Sequence, residues 1–212
     1  MKPQIILPDY GAHNADLNRS RDRLIRGSSY KDLSTICVIP TRGLIHARVV
    51  QSWMGLLPMM NQKFVRVFVS GMEVGEAYSA AVEMILANPE LSKWKYMLTL
   101  EEDNIPPPDG LLKLYESIEG GVDGKKYDVV GGLYWTKGQG GQPMIYGEPN
   151  VMPRNFIPQP PKMDTLQPCN GLGMGFTLFR IAIFKDQMLI RPFFKTVSEC
   201  IPGQGSRVYT QD

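Results

Sequence analysis

The chain has 212 residues and a formal net charge of +2. That length suits about one domain with a real core, and that charge gives no global electrostatic case for nucleic acid or membrane as partner. Apolar residues at 43% and charged residues at 21% are the ordinary mix of a soluble globular protein. Three cysteines, Cys37, Cys169 and Cys200, are scattered without a CxxC pair. Reduced intracellular thiols are therefore expected, rather than a disulfide framework or a zinc site. Ile5-Ile6-Leu7 is too short for the apolar segment of a signal peptide, and no run approaches the ~18 residues of a membrane span. A cytoplasmic protein is expected.

Residues 1 to about 33 carry few apolar residues and little periodicity, and read as a solvated N-terminal extension. Arg19, Arg21, Arg23, Arg26 and Lys31 form a local basic cluster among Asp16, Asp22 and Asp32. It reads as solvated charge, with contact to an anionic acceptor such as nucleic acid as the alternative. Thr35 to Ile39 is a β-branched run stopped by Pro40, the mark of a buried strand. Thr41-Arg42-Gly43 follows as a loop. Ile45, Val49, Trp53 and Leu56 or Leu57 recur at helical spacing, which predicts a helix from about Leu44 to Leu57 ended by Pro58. Phe64 to Val69 predicts the second strand, leading into Ser70-Gly71-Met72-Glu73. A helix from about Gly75 to Ala87 follows, closed by Asn88-Pro89.

Tyr96 to Leu100 is short, continuous and apolar, and reads as a strand buried on both faces. Glu101-Glu102-Asp103 follow at once, then Asn104, Ile105 and three prolines. In open α/β sheets ligands bind beyond the carboxyl ends of the strands. Adjacent acids there repel one another unless a cation or a polyhydroxylated ligand sits between them. Asp109 is expected to N-cap a helix from Gly110 to about Ile118, broken by Gly120-Gly121. Tyr127 to Tyr134 predicts another strand, with Gly131-Gly132 allowing close backbone approach. From Trp135 to Pro168 the chain is polar and rich in Gly and Pro, a connection long enough to be functional. Asn170 to Arg180 brings three glycines at spacing two and then an apolar strand. Ile181 to about Ile190 predicts a helix, and Arg191 to Asp212 shows no pattern. His13 and His46 lack metal-ligand spacing and read as structural.

Alternating strands and helices with acids at a strand end predict a parallel-sheet α/β domain. Three segments then resemble the GT-A glycosyltransferases, specifically the family-2-like group of bacteria and their phages. Ile39-Pro40-Thr41-Arg42-Gly43 is similar to their nucleotide-binding first loop. Leu100 to Pro107 is similar to their D-x-D element, with Glu101 in place of the first aspartate. Asn170 to Arg180 is similar to their glycine-rich acceptor-side segment. The resemblance covers roughly residues 34 to 212, behind an extension of residues 1 to 33. It implies a GT-A, Rossmann-like fold with a mixed, mostly parallel sheet flanked by helices. It also implies a metal-dependent, hexosyltransferase-like enzyme that moves a sugar from a UDP- or GDP-sugar to a hydroxyl acceptor.

The same resemblance implies site residues. Asp103 is expected on Mn²⁺ or Mg²⁺, and Glu101 near the ribose or a metal-bound water. Pro40, Thr41, Arg42 and Glu73 are expected at the nucleotide. Glu102 joins them if the strand has already turned, and otherwise points elsewhere. Trp135, Lys137, Gly171 and Gly173 belong to the loops around donor and acceptor, with Gly175 continuing the glycine series. The family's acceptor-side acidic pair falls at the last residues, so Asp212 is expected as catalytic base, unless the chain stops short of that motif. The acceptor stays open among glycan, protein and modified DNA base. The location becomes host cytoplasm if the chain is phage-encoded. Two alternatives stand beside this reading: a non-catalytic nucleotide- or glycan-binding domain of a larger assembly, and a sugar-nucleotidyltransferase.

Overall fold

The computed structural model describes residues 17–138, 140–201 and 205–209; Asp212 and His13 lie outside the described residues. In chain order the helices are α1 (Leu17–Gly27), α2 (Ala47–Gly55), α3 (Val74–Ala87) and α4 (Gly110–Ile118). The strands are β1 (Thr35–Thr41), β2 (Phe64–Ser70), β3 (Tyr96–Leu100), β4 (Val129–Gly131), β5 (Ile145–Tyr146), β6 (Gly171–Leu172), β7 (Phe176–Arg180), β8 (Val197–Ile201) and β9 (Gly205–Tyr209). A central sheet has the order β2-β1-β3-β7-β4, and β5–β6 and β8–β9 form two-stranded ribbons. β1 runs parallel to β2 and β3, with Thr35 opposite both Phe64 and Tyr96. β7 is antiparallel to β3 and to β4. The expected mixed, mostly parallel α/β sheet is therefore present, with β7 as its reversed member.

β1 and β3 are buried along nearly their whole length, as their unbroken apolar runs require. Successive side chains point to opposite faces. Cys37, Ile39, Leu98 and Leu100 meet Trp53 of α2 and Leu111, Tyr115 and Ile118 of α4. Ile36, Val38 and Met97 meet Tyr78, Ala81, Val82 and Ile85 of α3. The buried threonines of β1 and β3 are satisfied, as burial demands. Thr35 Oγ1 donates to Leu33 O at 2.8 Å, and Thr99 Oγ1 donates to Thr177 O at 3.2 Å. Burial pushes the Cys37 thiol up to about 12, so it behaves as an inert core residue.

Several elements differ from the expected ones. α2 begins at Ala47 rather than Leu44 because His46 caps it, its Nδ1 accepting from Arg48 N at 3.2 Å. β4 is shorter than Tyr127–Tyr134: its pairing with β7 closes with the Gly132 N–H donating to Phe176 O at 2.8 Å, and the Phe176 ring fills the space a Cβ at Gly132 would take. Ile181 to Lys185 forms a 3₁₀ turn instead of a longer helix. Phe184 enters the core there, while Ile190 stays 87% exposed. β8 and β9 form where no pattern was legible.

α1 was not anticipated, and it packs against α4 through ion pairs. Arg23 Nη1 lies 2.8 Å from Asp109 Oδ2 and its Nε 3.2 Å from Glu116 Oε2, and Arg26 Nη1 lies 2.8 Å from Glu116 Oε1. Asp109 precedes α4 as expected, but its side chain makes no cap hydrogen bond. It is buried and serves Arg23 and Lys113 instead.

Candidate functional site

β1, β2, β3 and β4 all end on one side of the sheet, and β7 begins there. The acids leave β3 at this edge. Glu101 N still donates to Gly175 O at 3.1 Å, but Asn104 N donates back to Glu101 O at 3.1 Å, so the backbone turns at the first acid. α2 fixes the turn and the prolines after it. Trp53 Nε1 donates to Asn104 O at 3.1 Å and Ser52 Oγ to Pro106 O at 2.8 Å. Just past α2, Leu57 N donates to Pro108 O at 2.8 Å. The helix predicted from apolar spacing thus carries the polar groups that shape the acidic turn.

Because the chain has turned, Glu102 faces the loop after β1. Its Oε2 accepts from Thr41 Oγ1 and from Arg42 N, both at 2.8 Å. Arg42 Nε lies 3.7 Å from Oε1, and Thr41 Oγ1 in turn accepts from Gly43 N at 3.0 Å. Gly43 has φ 100°, a backbone conformation that glycine adopts without steric cost. Pro40, Thr41, Arg42 and Glu102 are therefore brought together, and Glu102 is the residue that joins the two loops. Pro40 itself is buried within β1. Asp103 forms an ion pair with Lys137. Glu101 is partly buried and also engaged by a neighbour.

Glu73 lies at the start of α3, one strand beyond β1. Its Oε2 caps the helix by accepting from Gly75 N at 2.9 Å and Glu76 N at 3.3 Å, and its Oε1 accepts from Thr196 Oγ1 at 2.7 Å. These bonds tie it to α3 and to Thr196 rather than to the acidic turn. The glycine-rich segment packs on Tyr134. Gly175 N donates to Tyr134 Oη at 2.8 Å. A Cβ at Gly173 would lie 2.2 Å from that hydroxyl oxygen, and one at Gly175 would lie 2.1 Å from Asn104 Nδ2. The space beside these two glycines is thus filled by the protein's own side chains. Gly171 sits further out in β6, under the ring of Phe156. Trp135 is partly exposed and bridges to Pro143.

Asn104 and Trp53 shape the site without having been singled out for it, and Tyr134 anchors it through its hydroxyl. Asn104 carried a signal, since it directly follows the acids; the hydrogen bonds of the other two join residues too far apart in sequence to be read. The basic cluster of α1 changes meaning, because Arg23 and Arg26 are held by Asp109 and Glu116. A cavity of about 70 Å³ lies between α1 and α4, lined by Arg23, Arg26, Tyr30, Met59 and Glu116 among others. None of the site residues named above lines it.

Among the described residues no three His, Cys, Asp or Glu side chains gather as a metal cluster. A hard divalent cation that completes its shell with phosphate and water needs only one or two carboxylates. Asp103 suits that donor chemistry: it offers carboxylate oxygens, is 44% exposed, and already faces a cationic group.

No family model and no curated protein matches the chain. Among solved structures, the crystal structure of A197 from STIV is similar, with a TM-score of 0.52 and 20% identity over 77% of this chain and 72% of that chain. The likeness is one of fold. It agrees with an α/β protein of the Rossmann-like kind, built on a mixed and mostly parallel sheet. Among the described residues no helix is long and apolar enough to cross a membrane.

Proposed function

We propose that the chain is a GT-A-type glycosyltransferase that moves a sugar from a UDP- or GDP-sugar to a hydroxyl acceptor with the help of Mn²⁺ or Mg²⁺. The observation that supports this best is the acidic turn. It leaves a fully buried parallel strand, is held by α2, and is joined by Glu102 to the loop after β1. An open α/β sheet presents its ligand site at that edge. In this reading Thr41 and Arg42 wall the nucleotide, with Pro40 buried beneath them, and Glu102 holds that wall in place. Asp103, assisted by Glu101, takes the cation, which when bound neutralises charge on the leaving diphosphate. Lys137 and Trp135 stand on the sugar and phosphate side, and Glu73 flanks the nucleotide base. The acceptor is a glycan, a protein or a modified DNA base. An inverting reaction needs a general base at the acceptor hydroxyl, and the residue assigned to that task, Asp212, is outside the described residues.

The test is turnover of a panel of UDP- and GDP-sugars with Mn²⁺, scored as hydrolysis when no acceptor is supplied. Asp103→Asn is expected to lower turnover by about 100-fold, the loss of roughly 3 kcal/mol of charge stabilisation. Nucleotide binding without turnover of any sugar in wild type would favour the non-catalytic binding domain. Turnover indifferent to Asp103→Asn and Glu101→Gln would remove the acidic turn from the reaction.

A further inference from the structure

Lys137 reaches Asp103 from a short hairpin whose backbone is fixed without that contact. Thr136 N donates to Gln142 O at 2.8 Å, Gln142 N to Thr136 Oγ1 at 2.8 Å, and Met144 N to Tyr134 O at 2.9 Å. Tyr134 is tied in turn to Gly175 N at the edge of β7. The Lys137 side chain is 76% exposed and that of Asp103 44%. An ion pair in such a setting shifts an equilibrium by no more than about fivefold. The neighbouring carboxylate differs, since Glu102 receives two hydrogen bonds from the loop after β1. The turn thus separates a carboxylate committed to structure from one held by a tethered and weakly bound cation.

We infer that Lys137 is the exchangeable counter-ion of Asp103. It neutralises the carboxylate while no divalent cation is bound and yields it when one arrives. Its ammonium is then released, on a fixed hairpin, to meet the phosphates that the cation carries. Lysine suits this exchange: its ammonium is a compact point charge on a flexible stem, and it binds phosphate as a point charge rather than through a planar fork. The inference rests on the proposed reading of Asp103 as a cation ligand. It adds two effects of opposite sign at one residue. Lys137 weakens the cation when the cation binds alone, and strengthens a nucleoside diphosphate when it binds with the cation.

The experiment uses Mn²⁺ alone and then UDP with saturating Mn²⁺, on wild type, Lys137→Met, Lys137→Arg and Asp103→Asn. Free Mn²⁺ is followed by electron paramagnetic resonance and UDP by calorimetry, after thermal melts show that each variant is folded. Lys137→Met is expected to bind Mn²⁺ about two- to fivefold tighter than wild type and to bind UDP with Mn²⁺ several-fold more weakly. Lys137→Arg stays close to wild type for Mn²⁺, and Asp103→Asn loses Mn²⁺ binding. Mn²⁺ binding that depends on Asp103 but is unchanged or weaker in Lys137→Met overturns the exchange and leaves Asp103 as a ligand. Unchanged UDP affinity in Lys137→Met overturns the phosphate half. Mn²⁺ binding that is absent, or indifferent to Asp103→Asn, overturns the ligand assignment itself and the metal-assisted function with it.

Discussion

At the scale of single residues, the three adjacent acids differ because the backbone turns between them. Glu101 still follows the strand register through its bond to Gly175 O, while Glu102 faces Thr41 and Arg42 and Asp103 faces Lys137. A carboxylate that accepts two hydrogen bonds across a gap between loops acts as a clamp. Replacing Glu102 by Ala leaves the Arg42 N–H without its acceptor, at a cost of about 1 kcal/mol in this partly exposed setting. The local effect should exceed the global one. Amide hydrogen exchange at Arg42 and Gly43 is expected to accelerate by an order of magnitude or so, while the melting temperature moves by only a few degrees. Unchanged exchange at both amides would show that the loop is held by something else.

At the scale of elements, what was legible depended on whether an element is held by apolar periodicity or by partners distant in sequence. β1 and β3 announce themselves by unbroken apolar runs, and α3 and α4 by their apolar faces and breakers. α1 does not, because it docks through Arg23 and Arg26, residues that read as solvated charge until Asp109 and Glu116 are placed beside them. The same distance effect misassigned the Asp109 side chain as a helix cap. The direction of β7 was also hidden: its apolar pattern is the same whichever way the strand runs, and only the return of the chain from the site edge reverses it. For the candidate site, the acids and the first loop could be placed at one strand edge from the sequence, whereas the Asp103–Lys137 pair and the Trp53 and Tyr134 anchors needed the fold. Arg23→Ala would leave Asp109 buried with Lys113 as its remaining cation. Since breaking a buried pair costs several kcal/mol and Lys113 recovers part of it, a loss of about 2 kcal/mol is expected in urea unfolding. A change below about 0.5 kcal/mol, the range of ordinary surface substitutions, would mean that α1 docks by its apolar contacts alone.

At the scale of the whole molecule, the two ends of the sheet handle charge in opposite ways. The carboxyl end exposes Asp103 and Lys137 in a pair that water can reach. The amino end closes around Glu119, whose Oε1 lies 2.8 Å from Lys95 Nζ and 2.9 Å from Arg180 Nη1 and also accepts from the Tyr96 hydroxyl. Arg180 donates further to Tyr127 O and Ile118 O, both at 2.8 Å, so the cluster ties α4 and β3 to the end of β7. Burial by itself would raise the Glu119 carboxyl. The hydrogen bonds from Lys95 and Tyr96 and the charges of Lys95 and Arg180 outweigh it and bring the group down to about 2 from its ordinary 4.5. A carboxyl depressed in the folded state stabilises it at pH values above the ordinary one. That contribution is lost as pH falls through the window from 4.5 to about 2. Glu119→Gln removes the titration and takes the carboxylate from Lys95 and from Arg180, which keeps Asp128 Oδ1 at 4.0 Å, so it is expected to cost about 2 kcal/mol near neutral pH. The gap between the two proteins should then narrow on acidification, since wild type loses the Glu119 contribution that the variant never had. Urea midpoints measured from pH 7 to pH 2 for both proteins provide the check, because other carboxylates titrate alike in each and cancel in the difference. A gap that stays constant through the acid range would show that Glu119 holds the amino end by packing rather than by charge.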